Sequence, residues 1–236
     1  KALSGFTFTN HLSEINTVII KKDANEFVKL LVSGYGADSK SGNPELPVLE
    51  ELINIPYGST IEVEIMNKEE QIISLSDHGI NYPVFPCQPS LSKSENATDA
   101  PFYFNQDYYN YDGFYTRNLV ETEFLGKMRG QQLGRITVAP FSYNPLANEL
   151  KIVTKLEVKV IFKNIDLETN KFNRKKFYSS EFEHLFKNCI NYLPLHEKDI
   201  ITTYPVKYVI IADPIFQSAI QPLVNWKTRK GFIVVE

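Results

Sequence analysis

Apolar and charged residues alternate along much of the first 165 residues, and this period of two favours strands over helices. In residues 60–65, Ile61, Val63 and Ile65 alternate with two glutamates. Residues 151–162 repeat the pattern; the predicted inward side chains are Ile152, Leu156, Val158 and Val160, and the predicted outward ones are Lys151, Lys155, Glu157 and Lys159. Successive side chains of a strand point to opposite faces, so both segments are predicted to be half-buried antiparallel strands.

Further strands are predicted where short apolar stretches lie between turn-forming residues. They are residues 16–21, 27–33, 49–55, 71–75 and 133–141. A hairpin is predicted between the last of these and residues 151–162, because the intervening turn residues are Tyr143, Asn144, Pro145 and Asn148. Prolines lack a backbone N–H and oppose helices at Pro44, Pro47, Pro56, Pro83, Pro86 and Pro89. The sequence thus predicts a mainly β protein, with an antiparallel β-sandwich or barrel-like domain over residues 1–165.

The pattern changes at residue 166, and residues 166–203 are predicted to form a short helical link with one helix. Residues 170–176 carry four basic side chains and are predicted to be an exposed connector. Residues 180–190 are predicted to be an amphipathic helix, with apolar side chains at helical spacing: Phe182, Leu185, Phe186, Cys189 and Ile190. Ser180 and Glu183 have the spacing of a capping box at its start, and Pro194 opposes its continuation.

A third pattern occupies residues 204–236. The near-continuous apolar run 206–212 is typical of a strand buried on both faces. Asp213 and Pro214 suit the start of a helix, and its last turn is basic at Lys227, Arg229 and Lys230. Residues 232–235 then begin a second strand. This order predicts a truncated βαβ start of an α/β domain.

Composition and charge exclude several classes of function. Hydrophobic residues make up 43% of the chain and charged residues 22%, which are values of a globular protein, and the 13% of aromatic residues favours strands. The net charge is -3 without a long block of one sign, so no nucleic-acid partner is predicted. No apolar run reaches the roughly 18 residues that a membrane span needs, so none is predicted.

No metal and no cofactor are predicted. Neither the histidines nor the loop aspartates have the spacing of a metal site; they are His11, His78, His184, His196, Asp77, Asp99, Asp107 and Asp112. The first residue is Lys1, which leaves open whether a secretory signal was removed upstream.

Several motifs resemble the pro-region and the first part of the catalytic domain of gingipain-type cysteine peptidases. In the last third of the chain they are residues 208–214, Trp226-Lys227 and Lys230-Gly231. Upstream they are residues 42–47, 55–58, 82–89, 126–130, Ala139-Pro140 and 143–145. Each motif is weak alone, but their order and spacing extend the resemblance over essentially the whole chain. The resemblance implies a bacterial protein that is secreted or lies on the cell surface.

The resemblance also implies that the catalytic Cys and His of such a peptidase lie beyond this chain, which should be inactive alone. Cys87 and Cys189 allow one disulfide at most, and free buried thiols are favoured. Neither has the basic or positive surroundings that a nucleophilic thiolate needs. The implied function is a pro-domain that keeps the following catalytic domain, its expected partner, latent and helps it to fold.

An inhibitor of this kind needs an exposed anchor side chain, and gingipain-like enzymes prefer Arg or Lys at the cleavage position. Arg129 is the first candidate and Lys127 the second, because glycines flank them in residues 126–130. An ordinary basic turn is the alternative. Processing-site candidates are the basic residues of the link, Arg174, Lys175, Lys176 and Lys198, for which a solvated charge run is the alternative.

A non-catalytic binding module for glycan or protein is the competing hypothesis. The tract 102–115 is dense in aromatic rings, namely Phe102, Tyr103, Phe104, Tyr108, Tyr109, Tyr111, Phe114 and Tyr115. Exposed rings on a β-sandwich can stack on sugars or contact a partner. Burial of these rings in the core, or against the catalytic domain, is the simpler interpretation.

Overall fold

The structure is a computed structural model that describes residues 3–12, 14–22, 24–37, 40–92, 100–115, 117–195 and 207–236. Its strands are β1 Gly5–His11, β2 Ile15–Lys22, β3 Asn25–Val32, β4 Gly36–Ala37, β5 Pro47–Ile55, β6 Thr60–Ser74, β7 Val120–Met128, β8 Gln131–Val138, β9 Phe141–Asn144, β10 Glu149–Lys163, β11 Lys207–Val209 and β12 Ile233–Val235. Its helices are α1 Gln106–Tyr109, α2 Leu167–Lys176, α3 Ser180–Phe186 and α4 Gln217–Arg229. The chain is mainly β, as predicted.

Two antiparallel sheets form the body of the protein. The first has the order β1-β10-β6, with β9 also paired to β10, and the second has the order β4-β5-β8-β7. Their facing strands share one buried cluster: Phe6, Ile53, Ile55, Ile136, Val138, Val153, Leu156, Val158, Val160 and Phe162. This is a sandwich whose sheets are not closed, so the barrel-like alternative is wrong.

Strand β10 contributes to two cores because a bulge at Thr154 interrupts its pairing with β6. Ile152 packs in a second buried cluster with Val28, Leu30, Val32, Leu46, Leu75, Val84, Tyr109, Phe141, Tyr143 and Leu150. The next residue, Val153, packs in the cluster between the sheets. All four residues predicted to point inward are fully buried. The sequence predicts one inward face for these four residues. In the structure Ile152 packs in one cluster, whereas the other three pack in the cluster between the sheets.

Strand β6 joins two segments that were predicted as separate strands, residues 60–65 and 71–75. It pairs with β10 on one side and lies at the edge of its sheet. Ile61 and Val63 pack partly against the core, but Ile65 is 48% exposed, so its predicted inward position is wrong. The facing sheet does not cover this part of the edge strand.

The predicted strand 133–141 is in fact two strands in different sheets. Strand β8 ends at Val138 and β9 begins at Phe141, and Ala139-Pro140 carries the chain from one sheet to the other. Pro140 has no N–H to donate, but its carbonyl accepts a 2.9 Å bond from the Val153 amide. A hairpin with β10 is present, but its first strand is β9, so the predicted turn residues Tyr143 and Asn144 lie in a strand. Asn148 adopts the left-handed conformation in the turn, with φ 54°.

The link contains two helices instead of the predicted one. The expected connector 170–176 lies in α2, which begins after Asp166; that carboxylate accepts a 3.0 Å bond from the Thr169 amide. The predicted capping box of Ser180 is absent, because Ser180 is already the first residue of α3 and Ser179 is the N-cap, without a capping hydrogen bond from its side chain. Helix α3 also ends at Phe186, before the predicted residue 190.

Residues after α3 cover the free edge of β5. The Ile190 amide donates to the Leu52 carbonyl at 2.9 Å. The Asn191 side chain accepts from the Asn54 amide and donates to the Asn54 carbonyl, both at 2.8 Å. Asn191 therefore pairs with β5 as a neighbouring strand would, which protects this edge.

The predicted βαβ unit is present, with β11 and β12 parallel and α4 between them. Asp213 accepts a 2.9 Å bond from the Ile215 amide at the start of the helical turn, as predicted. The strand predicted over residues 206–212 is shorter, because β11 ends at Val209. Val209 is 59% exposed and Ile211 is 95% exposed, so burial on both faces is wrong for the described residues. This two-stranded sheet lacks the neighbouring layers that such burial requires.

Candidate functional site

The tip of the β7–β8 hairpin contains both predicted anchor residues. Met128 pairs with Gln131, which leaves Arg129 and Gly130 as a two-residue turn with φ of 46° and 68°. Positive φ at both positions defines a type I′ turn, for which Asn-Gly is the usual pair. A long side chain in this conformation costs energy, and such strain concentrates at functional sites. Arg129 is thus held at the exposed tip of a rigid turn.

Lys127 occupies a different position, within strand β7 opposite Gln132. Its ammonium lies 5.1 Å from the centre of the Tyr57 ring, whereas the Arg129 guanidinium lies 4.5 Å from the centre of the Phe182 ring. Both basic side chains are solvent-exposed. Position in the turn therefore distinguishes Arg129, the first candidate, from Lys127.

Both flanking glycines have positive φ, as the predicted backbone freedom requires, and Gly130 also allows a close contact. Gly126 has φ 141° and follows a bulge at Leu125. Gly130 is in close contact with the link helices: an added Cβ would lie 2.5 Å from Phe177 Cδ2 and 2.9 Å from the Asn173 carbonyl oxygen. The hairpin tip, defined as residues 127–130, is thus packed against α2 and the residue that follows it.

Three of the four processing-site candidates lie in α2. Arg174 is half-buried, and its guanidinium donates to the Leu193 carbonyl; burial lowers the pKa of this group. The Lys176 ammonium lies 5.2 Å from the Phe172 ring and 5.3 Å from the Phe177 ring. A protease would have to open this helix to cut here. Lys198 lies outside the described residues.

The aromatic tract is partly structural. Tyr108 and Tyr109 are buried, and the Tyr109 hydroxyl donates to the Val84 carbonyl at 2.5 Å, while burial raises its pKa. The exposed rings stack on neighbours within the tract: Phe104 on Tyr109 at 4.2 Å and Tyr115 on Tyr108 at 3.9 Å. They therefore do not form the open row of coplanar rings that a sugar platform requires.

Both cysteines are free and buried, as the sequence favours. Burial raises the pKa of the Cys189 thiol to about 11, which opposes a nucleophilic role.

We expect neither thiol of the native chain to react with Ellman's reagent at pH 8 within minutes. At that pH only about one Cys189 thiol in a thousand would be ionised, and both side chains are shielded from the reagent. The chain in guanidinium chloride is the control and should release two equivalents of chromophore. Rapid reaction of one equivalent in the native chain would contradict the buried, unreactive assignment.

Among the described residues, no cluster of three or more His, Cys, Asp or Glu side chains is arranged to hold a metal ion. None of the helices in the same part of the chain combines the length and apolar character needed to cross a membrane.

Sequence reasoning did not identify the residues that support the hairpin tip. Phe182 was assigned only to the apolar face of a helix, and Phe177 was not singled out. The one signal available was Gly130 itself, because a glycine is required where another part of the chain approaches closely.

Comparison with known proteins finds relatives that match most of this chain. Lys-gingipain of Porphyromonas gingivalis is 30% identical over 226 residues, which is 93% of this chain and 13% of the relative. Gingipain R2 of the same organism is 25% identical over 206 residues, or 82% of this chain and 25% of the relative. The chain thus spans only a small part of the curated relatives it matches.

Solved structures agree with these relatives. A structure described as giving insight into the zymogenic latency of gingipain K from Porphyromonas gingivalis is 30% identical, with a TM-score of 0.66 over 69% of this chain and 89% of that chain. A complex of the pro- and mature domains of RgpB from the same organism matches in fold, with 18% identity, a TM-score of 0.64 and coverage of 81% of this chain and 94% of that chain. The sequence model of the family described as Propeptide_C25 matches residues 4–189. The chain therefore belongs to the Propeptide_C25 family, the pro-regions of gingipain-type cysteine peptidases.

Proposed function

We propose that this chain keeps a gingipain-type peptidase latent by placing the hairpin tip in the active-site cleft of the catalytic domain. The observation that carries the proposal is the type I′ turn, which presents an exposed arginine in a strained conformation at the end of a sheet. Family membership supports it, as does the zymogenic latency described for the related gingipain K. A role as a folding aid for the catalytic domain belongs to the same proposal.

The physical basis is an anchor side chain on a rigid scaffold. Stable inhibitor interfaces bury about 1,600 Å² in total, but a few side chains supply most of the binding energy. A guanidinium binds a carboxylate through two parallel hydrogen bonds, so an acid-lined specificity pocket would suit Arg129. Lys127 is the second choice, because its ammonium extends from strand β7 and not from the turn at the tip.

The proposed organisation has three parts. Residues 1–165 form the β-sandwich pro-domain, 166–203 the link, and 204–236 the first elements of the catalytic domain. Processing would occur in the link, at Arg174, Lys175, Lys176 or Lys198. Secretion or display on the surface of a bacterium is proposed from the gingipain relatives.

Inhibition by the whole chain tests the proposal. We expect the 236-residue chain, added to its mature peptidase or to mature Lys-gingipain, to abolish cleavage of a peptide substrate at micromolar or lower concentration. Heat-denatured chain at equal concentration is the control, because it retains every cleavable bond but not the hairpin. Undiminished peptidase activity at ten micromolar folded chain would refute the proposal.

A glycan-binding module is not favoured, because the chain belongs to a propeptide family and the exposed Phe104 and Tyr115 rings stack on the buried rings of Tyr109 and Tyr108.

A further inference from the structure

The hairpin tip rests on a second part of the chain, here named the support segment and defined as residues 167–192. We propose that this segment positions the tip for inhibition, and that Phe177 is the positioning residue at the contact. The inference rests on the proposed latency function and goes beyond it, because it names what holds the tip in place and what would release it.

The closest approach is between Gly130 and Phe177. A methyl group on Gly130 would lie 2.5 Å from Phe177 Cδ2, 3.1 Å from Phe177 Cβ and 2.9 Å from the Asn173 carbonyl oxygen. Real Cβ atoms do not approach other atoms at 2.5 Å, so the backbone of the turn is packed directly on this ring. A displacement of Phe177 would therefore leave the turn without its contact surface.

A second contact acts on the side chain of the tip. The Arg129 guanidinium lies 4.5 Å from the Phe182 ring on α3, and its charge acts on the nearby Glu181 carboxylate. A cation–π contact at an exposed site is weak, because water screens the charge. The contact is weak enough for the guanidinium to leave it for a carboxylate in a peptidase pocket. The support segment therefore positions the tip mainly through the packing of the turn backbone, which remains when the guanidinium leaves the Phe182 ring.

The support segment is itself fixed to the sandwich at both ends. Near its start, the Asn170 side chain accepts a 3.3 Å bond from the Tyr57 amide. At its end, Asn191 pairs with the backbone of Asn54, whose side chain donates to Gln131 at 3.0 Å. Gln131 is the first residue of β8, directly after the turn. The contacts thus form a closed path from the hairpin tip through the link to β5 and back.

This arrangement lowers the cost of binding. Ordering a mobile side chain or loop in an interface costs conformational entropy, and a preformed tip avoids that cost. The open end of a two-stranded hairpin is otherwise mobile. The candidate processing residues Arg174, Lys175 and Lys176 lie within the support segment. A cut there would loosen the tip and weaken inhibition without touching the anchor.

The experiment compares Phe177→Ala with Phe172→Ala in the full chain. Both phenylalanines are exposed, at 40% and 52%, but the Phe172 ring lies beside Lys176 while Phe177 contacts the turn. We expect Phe177→Ala to raise the inhibition constant for the mature peptidase about tenfold. Phe172→Ala should leave it within about twofold.

Two further readouts separate positioning from a general loss of stability. Amide hydrogen exchange at Arg129, Gly130 and Gln131 should become at least about tenfold faster in Phe177→Ala and remain unchanged in Phe172→Ala. In an Arg129→Asn background, Phe177→Ala should not weaken inhibition further, because no anchor remains to be positioned. Phe177→Leu keeps an apolar side chain but removes the ring at this contact, and it should raise the inhibition constant severalfold if Phe177→Ala does not fold.

Unchanged exchange at the tip in a folded Phe177→Ala chain would overturn the positioning role, whether or not the chain inhibits. Equal inhibition constants for Phe177→Ala and the parent would also overturn it while leaving the latency function intact. If the parent chain does not inhibit the peptidase, the proposed latency function is wrong. The hydrogen-exchange measurement then still tests whether Phe177 holds the tip in place.

Discussion

An Arg129→Asn chain is expected to inhibit the mature peptidase about 30-fold to 1,000-fold less tightly than the parent, because loss of a central anchor costs about 2–4 kcal/mol. Its stability should be equal or higher. Asn-Gly is the preferred pair for a type I′ turn, and asparagine tolerates the positive φ of 46° better than arginine does. The measurements are the inhibition constant and the midpoint of urea unfolding.

Lys127→Ala is the matched control for this prediction. It removes a basic side chain two residues away, which lies on the strand and contacts Tyr57. Inhibition by this variant should change by less than about threefold if Arg129 is the anchor. The reverse result, with Arg129→Asn unchanged and Lys127→Ala weakened, would transfer the anchor to Lys127. Loss in neither variant would place the inhibitory contact elsewhere on the chain.

The strands were predictable where one face of a strand meets the core. Residues 49–55 fall within β5, and the four predicted inward residues of β10 are all buried. Residues 16–21 also fall within β2, although most of that strand is exposed. What periodicity could not supply was the bulge at Thr154 and the change of sheet at Pro140. Both depend on which distant strand lies opposite, and a pattern local to one strand carries no such information.

The link was harder to predict than the sandwich because helix α2 is not strongly amphipathic. Helix α2 includes four basic residues and one buried side chain, Asn170. That residue is buried because it bonds to the Tyr57 backbone, more than one hundred positions earlier in the chain. A polar residue that hydrogen-bonds to a distant backbone group has the same sequence signature as a loop residue. For this reason the sequence predicts a connector over residues 170–176.

The sequence predicts the basic side chain of the candidate site, but it does not predict the residues that contact that site. A basic residue beside glycine in residues 126–130 indicated an exposed turn, and Arg129 does lie at the tip. The glycines were expected to free the backbone. Gly126 and Gly130 do have positive φ, and Gly130 also allows the turn to pack on Phe177. A glycine in a sequence indicates that the backbone needs a positive φ or that another part of the chain approaches closely. Only the fold shows which atom makes that approach and excludes a side chain.

The largest effect on stability is expected from Phe141→Ala, which should lower the free energy of unfolding by about 3–5 kcal/mol. Phe141 is the first residue of β9 and is fully buried among Tyr143, Leu150 and Ile152. Its removal leaves a cavity at the point where the chain passes from one sheet to the other, and the strands on either side are fixed by their pairing. Urea unfolding followed by circular dichroism measures the change.

Phe124→Ala is the control, since it removes the same side chain from a 54% exposed position on β7 and should cost less than about 0.5 kcal/mol. At a concentration of urea where both variants remain folded, Phe141→Ala should still inhibit the peptidase, because the hairpin tip contacts Phe177 and Phe182 and not this cluster. A loss below about 1 kcal/mol for Phe141→Ala would mean that the second cluster does not pack as described. A loss of inhibition in a fully folded Phe141→Ala chain would instead show that the two cores and the tip are coupled, which the support contacts alone do not predict.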